Sequence, residues 1–129
     1  MKTLIESIIG RKGTSTITKQ SLREGDVVEI AAGIFYVFAP KFHYDKYGAF
    51  ITVVGNFGKF HIAVNHTTSW DDNLNCKGDD DIHRQFDVVR VYRKPKTKKF
   101  PRIDWEDPIK LKDYINWIVD NVKPININQ

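Results

Sequence analysis

LREGDVVEIAAGIFYVF, residues 22–38, is the stretch that decides the fold class. Gly25 gives a turn its backbone freedom, and the β-branched run Val27-Val28-Glu29-Ile30 starts directly after it. Ala32-Gly33 supplies a second turn, and Ile34-Phe35-Tyr36-Val37-Phe38 follows as a partner strand. Pro40 ends that strand, because proline has no N–H to donate to a ladder. Two apolar β runs around a short glycine turn predict an antiparallel hairpin at the heart of a strand-rich domain.

Further strands follow outward from this hairpin. Residues 50–54 (FITVV) are apolar apart from Thr52, as in a strand covered on both faces. Gly55-Asn56-Phe57-Gly58 is a turn, and Phe60, Ile62 and Val64 then alternate with His61, Ala63 and Asn65. Residues 86–93 (FDVVRVYR) read as another strand, and residues 102–105 as a short closing one. Asp107-Pro108 is a helix start, with Asp as N-cap and Pro in the first turn. Leu111, Ile115, Ile118 and Val122 fall on one face of that helix, with Tyr114 and Trp117 beside them, until Pro124 stops it. Before the hairpin, Leu4, Ile5, Ile8 and Ile9 predict a short N-terminal helix, and residues 14–18 a short strand.

The sum is an α+β, mainly β, single domain over residues 1–129: five or six antiparallel strands in a small barrel or bent sheet, with a C-terminal helix packed on it. Its core is expected over 14–122, with a loose tail at 123–129. Two stretches fit no strand or helix, an aromatic and charged loop at 41–47 and a polar loop of about sixteen residues at 66–81.

A chain of 129 residues with 41% hydrophobic side chains builds a core without disulfides or metal. Its lone cysteine, Cys76, pairs with nothing in the chain and fits a reducing compartment. With no membrane-length apolar run and no secretory signal pattern, a cytoplasmic protein is expected. The net charge of +4 favours anionic partners.

Catalytic signatures are missing from the sequence. His43, His61, His66 and His83 follow no metal-ligand spacing, and the Asp79-Asp80-Asp81 run lacks the order of a calcium loop. No nucleophile elbow or phosphate-cradling glycine loop appears. No catalytic residue, metal or cofactor is assigned, and an enzyme is not expected.

The residues that do suggest chemistry are basic. Arg84, Arg90, Arg93, Lys94, Lys96, Lys98, Lys99 and Arg102 lie within nineteen residues, opposed there only by Asp87 and interleaved with Tyr92 and Phe100. Arg offers a planar fork to phosphate, and an aromatic face stacks on a base. His66, Thr67, Thr68 and Trp70 open the polar loop and add hydroxyl, imidazole and indole groups. The candidate ligand site is therefore His66, Thr67, Thr68, Trp70, Arg84, Arg90, Tyr92 and Arg93. Against it stands an internal ion pair at Arg90, a solvated edge for the 94–99 run, and Trp70 folding back as a lid.

The pattern of residues 22–29, 70–74, 86–92 and 103–106 (LREGDVVE, WDDNL, FDVVRVY, IDWE) resembles small proteins of phages and prophages of Gram-positive bacteria. That resemblance spans residues 22–106 and implies an SH3-like barrel and a phage origin. It implies an accessory protein in the cytoplasm of an infected bacterial host, one that binds and blocks a defence component. The leading expectation is a binding protein that sequesters a phosphate-containing small molecule, such as a nucleotide immune signal. A protein–protein inhibitor of a host defence enzyme, contacting through the 41–47 loop and Trp70, is the first alternative. A nucleic-acid-binding module using residues 93–102 is the second. Self-association stays open, and no membrane partner is expected.

Overall fold

The structure, a computed structural model, describes residues 17–41, 48–97 and 102–128. Six strands form one antiparallel sheet: β1 (Val27–Ile30), β2 (Phe35–Ala39), β3 (Ala49–Asn56), β4 (Lys59–His66), β5 (Val88–Tyr92) and β6 (Ile125–Asn126). Their order across the sheet is β4-β3-β2-β1-β5-β6. The hairpin read from residues 22–38 is the centre, with Val27 opposite Val37 and Val28 opposite Tyr36. β5 comes from far along the chain to pair with the other side of β1. Among the described residues this is an open sheet with β4 and β6 at its edges, not a closed SH3-like barrel.

Strand alternation sends side chains to two faces, and both are covered. On one face Val28, Ile30, Tyr36, Phe38, Phe50 and Val91 meet a layer that includes Trp70, Leu74 and Cys76 from the connection between β4 and β5. On the other, Val27, Val37, Ala49, Ile51 and Tyr92 meet Leu111, Tyr114, Ile115, Ile118 and Val122. Those last residues belong to the helix Pro108–Asn121 and its C-cap. Three layers result: loop, sheet, helix.

The helix forms as its sequence dictates. The Asp107 carboxylate accepts from the N–H groups of Ile109 (3.0 Å) and Lys110 (3.2 Å), satisfying two first-turn donors. A single turn at Asp81–Arg84, here α1 with the long helix as α2, interrupts the polar loop.

Several expectations change. The 102–105 stretch is not a strand; Ile103 and Trp105 pack on the helix-side core without joining the ladder. The tail expected to be loose contributes β6, with Ile125 opposite Val91, and Ile127 is buried. An apolar side chain with a vacant strand edge beside it gains both burial and ladder hydrogen bonds. β3 is covered on both faces only over Ala49–Thr52, and Val54 is exposed. The N-terminal helix, residues 14–16 of the first short strand and the contact loop at 42–47 lie outside the described residues.

Candidate functional site

The eight residues expected to converge are divided by the sheet. Trp70 packs on the loop-covered face, 3% exposed, its ring edge-on to Phe50 at 4.9 Å. Its indole N–H donates to the Phe86 carbonyl at 2.8 Å, which makes it part of the core. Arg90 and Tyr92 lie on the opposite, helix-covered face. Tyr92 belongs to that core, and Arg90 shares its strand parity, two residues away. Thr67 is buried and donates to the Gly48 carbonyl at 3.2 Å, while His66 and Thr68 are exposed where β4 runs into a 3-10 turn.

The arginines are also occupied. Arg90 sits directly opposite Glu29 in the β1–β5 ladder and pairs with it at 3.1 Å. Tyr92 donates its hydroxyl to the same carboxylate at 2.9 Å. Arg93 grips the buried Asp26 with two nitrogens, Nε to Oδ1 at 3.1 Å and Nη2 to Oδ2 at 2.6 Å, and donates to the Ser21 carbonyl at 2.8 Å. Arg84 pairs with Asp87 at 3.3 Å and donates to the Cys76 and Gly78 carbonyls, bracing the loop. These pairs stitch β1 to β5 and close the loop layer. The expected pocket at 66–70 and 84–93 is not assembled.

Two other places are built for contact. The first is the β3–β4 hairpin. By its register β2 ends opposite Val53, so residues 54–60 overhang the sheet as an arm. At its tip Phe57 is 97% exposed, with φ 52, followed by Gly58 with φ 76. Positive φ at both central residues is a type I′ turn, whose favoured first residue is Asn, Asp or Gly. Phenylalanine in the left-handed region costs about 1 kcal/mol, and nothing in the fold shelters its ring. Val54 and Phe60 on the same arm are exposed as well, and the Lys112 ammonium sits 4.4 Å from the centre of the Phe60 ring. A shallow hollow of about 190 Å³ opens at the arm's base, lined by Ile34, Phe35, Val53 and Ile115 among others. The sequence shows Gly55-Asn56-Phe57-Gly58 as a turn. The overlooked signal was an aromatic at the turn position that points away from any core.

No family model, curated protein or solved structure matches this chain. The surface must speak for itself.

The second place is a cleft at the other end of the strands, where β1 begins. It holds about 340 Å³ between the Glu24-Gly25 turn, Lys94 after β5, residues 102–105 and Tyr114 of α2. Its floor is tight. Tyr114 donates its hydroxyl to the Gly25 carbonyl at 2.6 Å, and a Cβ on Gly25 would lie 2.9 Å from that oxygen. Burial, with Asp26 and Glu24 adding smaller effects, pushes the Tyr114 phenol up to about 12.

That shift carries a pH prediction. The unfolded phenol ionises near its ordinary value of 10 and the folded one near 12. The stabilising contribution is whole below 10 and is lost as pH climbs through the folded value. Denaturation midpoints are expected to fall between pH 10 and 12, and Tyr114→Phe to flatten that fall while losing stability at pH 7. An equally steep alkaline loss in Tyr114→Phe would remove Tyr114 as its source.

Proposed function

We propose that this chain is a non-enzymatic interaction module that grips another protein with the 54–60 arm, Phe57 being the anchor. The observation carrying this reading is an almost fully exposed phenylalanine held in a backbone conformation that opposes it. Stability alone selects against that residue at that position, so an intermolecular role accounts for it best. Aromatic anchors that fill a partner's pocket commonly supply the largest shares of binding energy.

The arm's chemistry describes the partner. Residues 49–66 include Lys59 and no Asp or Glu, and Lys112 lies against Phe60. An apolar pocket rimmed with carboxylates is the complementary surface. The phage and prophage resemblance of residues 22–106 supports placing that partner in a bacterial host and giving the chain an accessory, blocking role. Inhibition of a host defence protein thereby becomes the leading reading, ahead of capture of a nucleotide signal at residues 66–93.

Phe57→Asn separates binding from folding. Asn-Gly is a preferred type I′ pair, so the variant is expected to gain about 0.5–1 kcal/mol of stability in urea denaturation. Its affinity for the partner is expected to fall by at least about tenfold, the loss of a single aromatic anchor. A photo-crosslinking side chain at position 57 is expected to trap one protein of the infected host, and the same group at the exposed Asn116 is not. The reading fails if Phe57→Asn retains the partner's full affinity, or if position 57 traps nothing that Asn116 does not.

A further inference from the structure

The two edges of the sheet differ. β6 is two residues long and gives an incoming strand little to pair with. β4 is eight residues long, and all eight pair with β3 in one unbroken register, from Ala49 opposite His66 to Asn56 opposite Lys59. It has no proline and no bulge, and its one Lys or Arg, Lys59, stands at the turn end. Proteins normally guard a long edge with such features. Among the described residues no strand pairs with the outer side of β4, and Phe60 and Val64 stay 41% and 40% exposed.

The turn decides which backbone groups that edge offers. In a two-residue hairpin the pair flanking the turn, here Asn56 and Lys59, is hydrogen-bonded, and such pairs recur at every second residue. The Thr67 N–H, donating to the Gly48 carbonyl at 3.3 Å, keeps the same parity at the far end. His61, Ala63 and Asn65 therefore bond inward to β3. Phe60, Ile62 and Val64 turn their N–H and C=O groups outward. Their side chains share the helix-covered face, where Ile62 packs on the core.

We propose that the outer edge of β4 pairs with β4 of a second copy of this chain, antiparallel about a two-fold axis at Ile62. That register sets Ile62 opposite its own counterpart and Phe60 opposite Val64 on either side. Every outward residue then meets an outward residue, and about six main-chain hydrogen bonds close across the axis. Phe60 on Val64 is an aromatic on a β-branched side chain, a pairing that stabilises antiparallel ladders. On the other face His61 meets Ala63 and Lys59 meets Asn65, so no charge stands opposite a like charge. A two-fold contact must match itself, and this strand does. That match about Ile62 favours a second copy over an unrelated extended segment, which needs none. Phe57 lies outside the paired 59–65 stretch, so this contact is separate from the arm's grip on another protein.

Sedimentation of the full chain tests this. A reversible dimer is expected, with a dissociation constant of about 10 µM, the weak end for specific protein interfaces. Cysteine variants test the register. A mixture of Phe60→Cys and Val64→Cys chains is expected to cross-link under mild oxidation at least about tenfold faster than either variant alone. Positions 60 and 64 face each other across the axis, whereas each lies about 13 Å or more from its own counterpart, too far for a disulfide. Val64→Pro removes one outward N–H and no bond to β3, so it is expected to keep the fold and sediment as a monomer. Phe57→Asn is expected to dimerise as the parent does, which tells failure of this contact from failure of the arm. The proposal is overturned if the parent stays monomeric at about a hundred times the expected dissociation constant, which leaves the edge to an extended segment of another protein. It is overturned equally if either cysteine variant alone cross-links as fast as the mixture, or if folded Val64→Pro dimerises as tightly as the parent.

Discussion

Trp70→Ala is expected to remove about 4 kcal/mol of unfolding free energy, the largest effect of any single truncation considered for this chain. The indole is 3% exposed and fills the space between the sheet and the β4–β5 connection, edge-on to Phe50. Its removal opens a cavity in a layer that lacks regular structure to collapse with, and it orphans the Phe86 carbonyl, which now receives the indole N–H at 2.8 Å. Lys19 donates to the carbonyls of Trp70 (2.7 Å) and Thr67 (3.3 Å), so the segment before β1 is tied to the same place. Trp70→Phe keeps most of the apolar contact and loses the hydrogen bond, and about 1–2 kcal/mol is expected from it. Urea denaturation gives both numbers. If Trp70→Ala costs less than Trp70→Phe, or if either leaves stability unchanged while abolishing partner binding, Trp70 belongs to a binding surface after all.

Asp26→Asn is expected to cost about 3–5 kcal/mol, although it changes hardly any volume. Asp26 is 3% exposed and holds the Arg93 guanidinium with both oxygens, while its Oδ2 also accepts from the Arg23 N–H at 2.9 Å. Neutralising the carboxylate leaves a largely buried guanidinium without its counter-charge at the junction of β1 and β5. Arg93→Gln alone orphans the carboxylate and is expected to be nearly as damaging. The double variant is expected to be clearly more stable than the sum of the two losses, because neither charge is then stranded. Additive losses would mean that the pair is not coupled and that Arg93 is held by the Ser21 carbonyl instead.

Arg93 also marks where the sequence stops being informative. Within residues 84–102 the basic side chains face a single carboxylate, Asp87, and look like a charged patch awaiting an anion. For Arg90 and Arg93 the partners are remote in the chain. Glu29 lies 61 positions before Arg90, and Asp26 lies 67 before Arg93. Only the antiparallel pairing of β1 with β5 brings those groups together, and nothing local to residues 84–93 announces it. An internal ion pair at Arg90 is a reading the sequence leaves open, and the fold supplies its carboxylate, Glu29.

The cleft residues show the same divide. Lys94 and Arg102 are legible as part of the basic run, but the sequence sets Glu24 beside a turn, Tyr114 on the flank of a helix and Trp105 in a short closing strand. What unites them is the docking of α2 on one face of the sheet, which sets the Tyr114 hydroxyl on the Gly25 carbonyl.

By itself the sequence determined what short-range physics controls. The glycine turns around the central hairpin, the period of the apolar helix face and the Asp-Pro helix start each depend on residues within a few positions of one another, and each holds in the structure. The tertiary fold decided which face of the sheet each side chain occupies, which arginines are consumed by carboxylates, and that the β3–β4 arm runs past its neighbour and leaves Phe57 in water. Those outcomes depend on strand order and register, set by contacts across the whole chain, and no window of local sequence contains them.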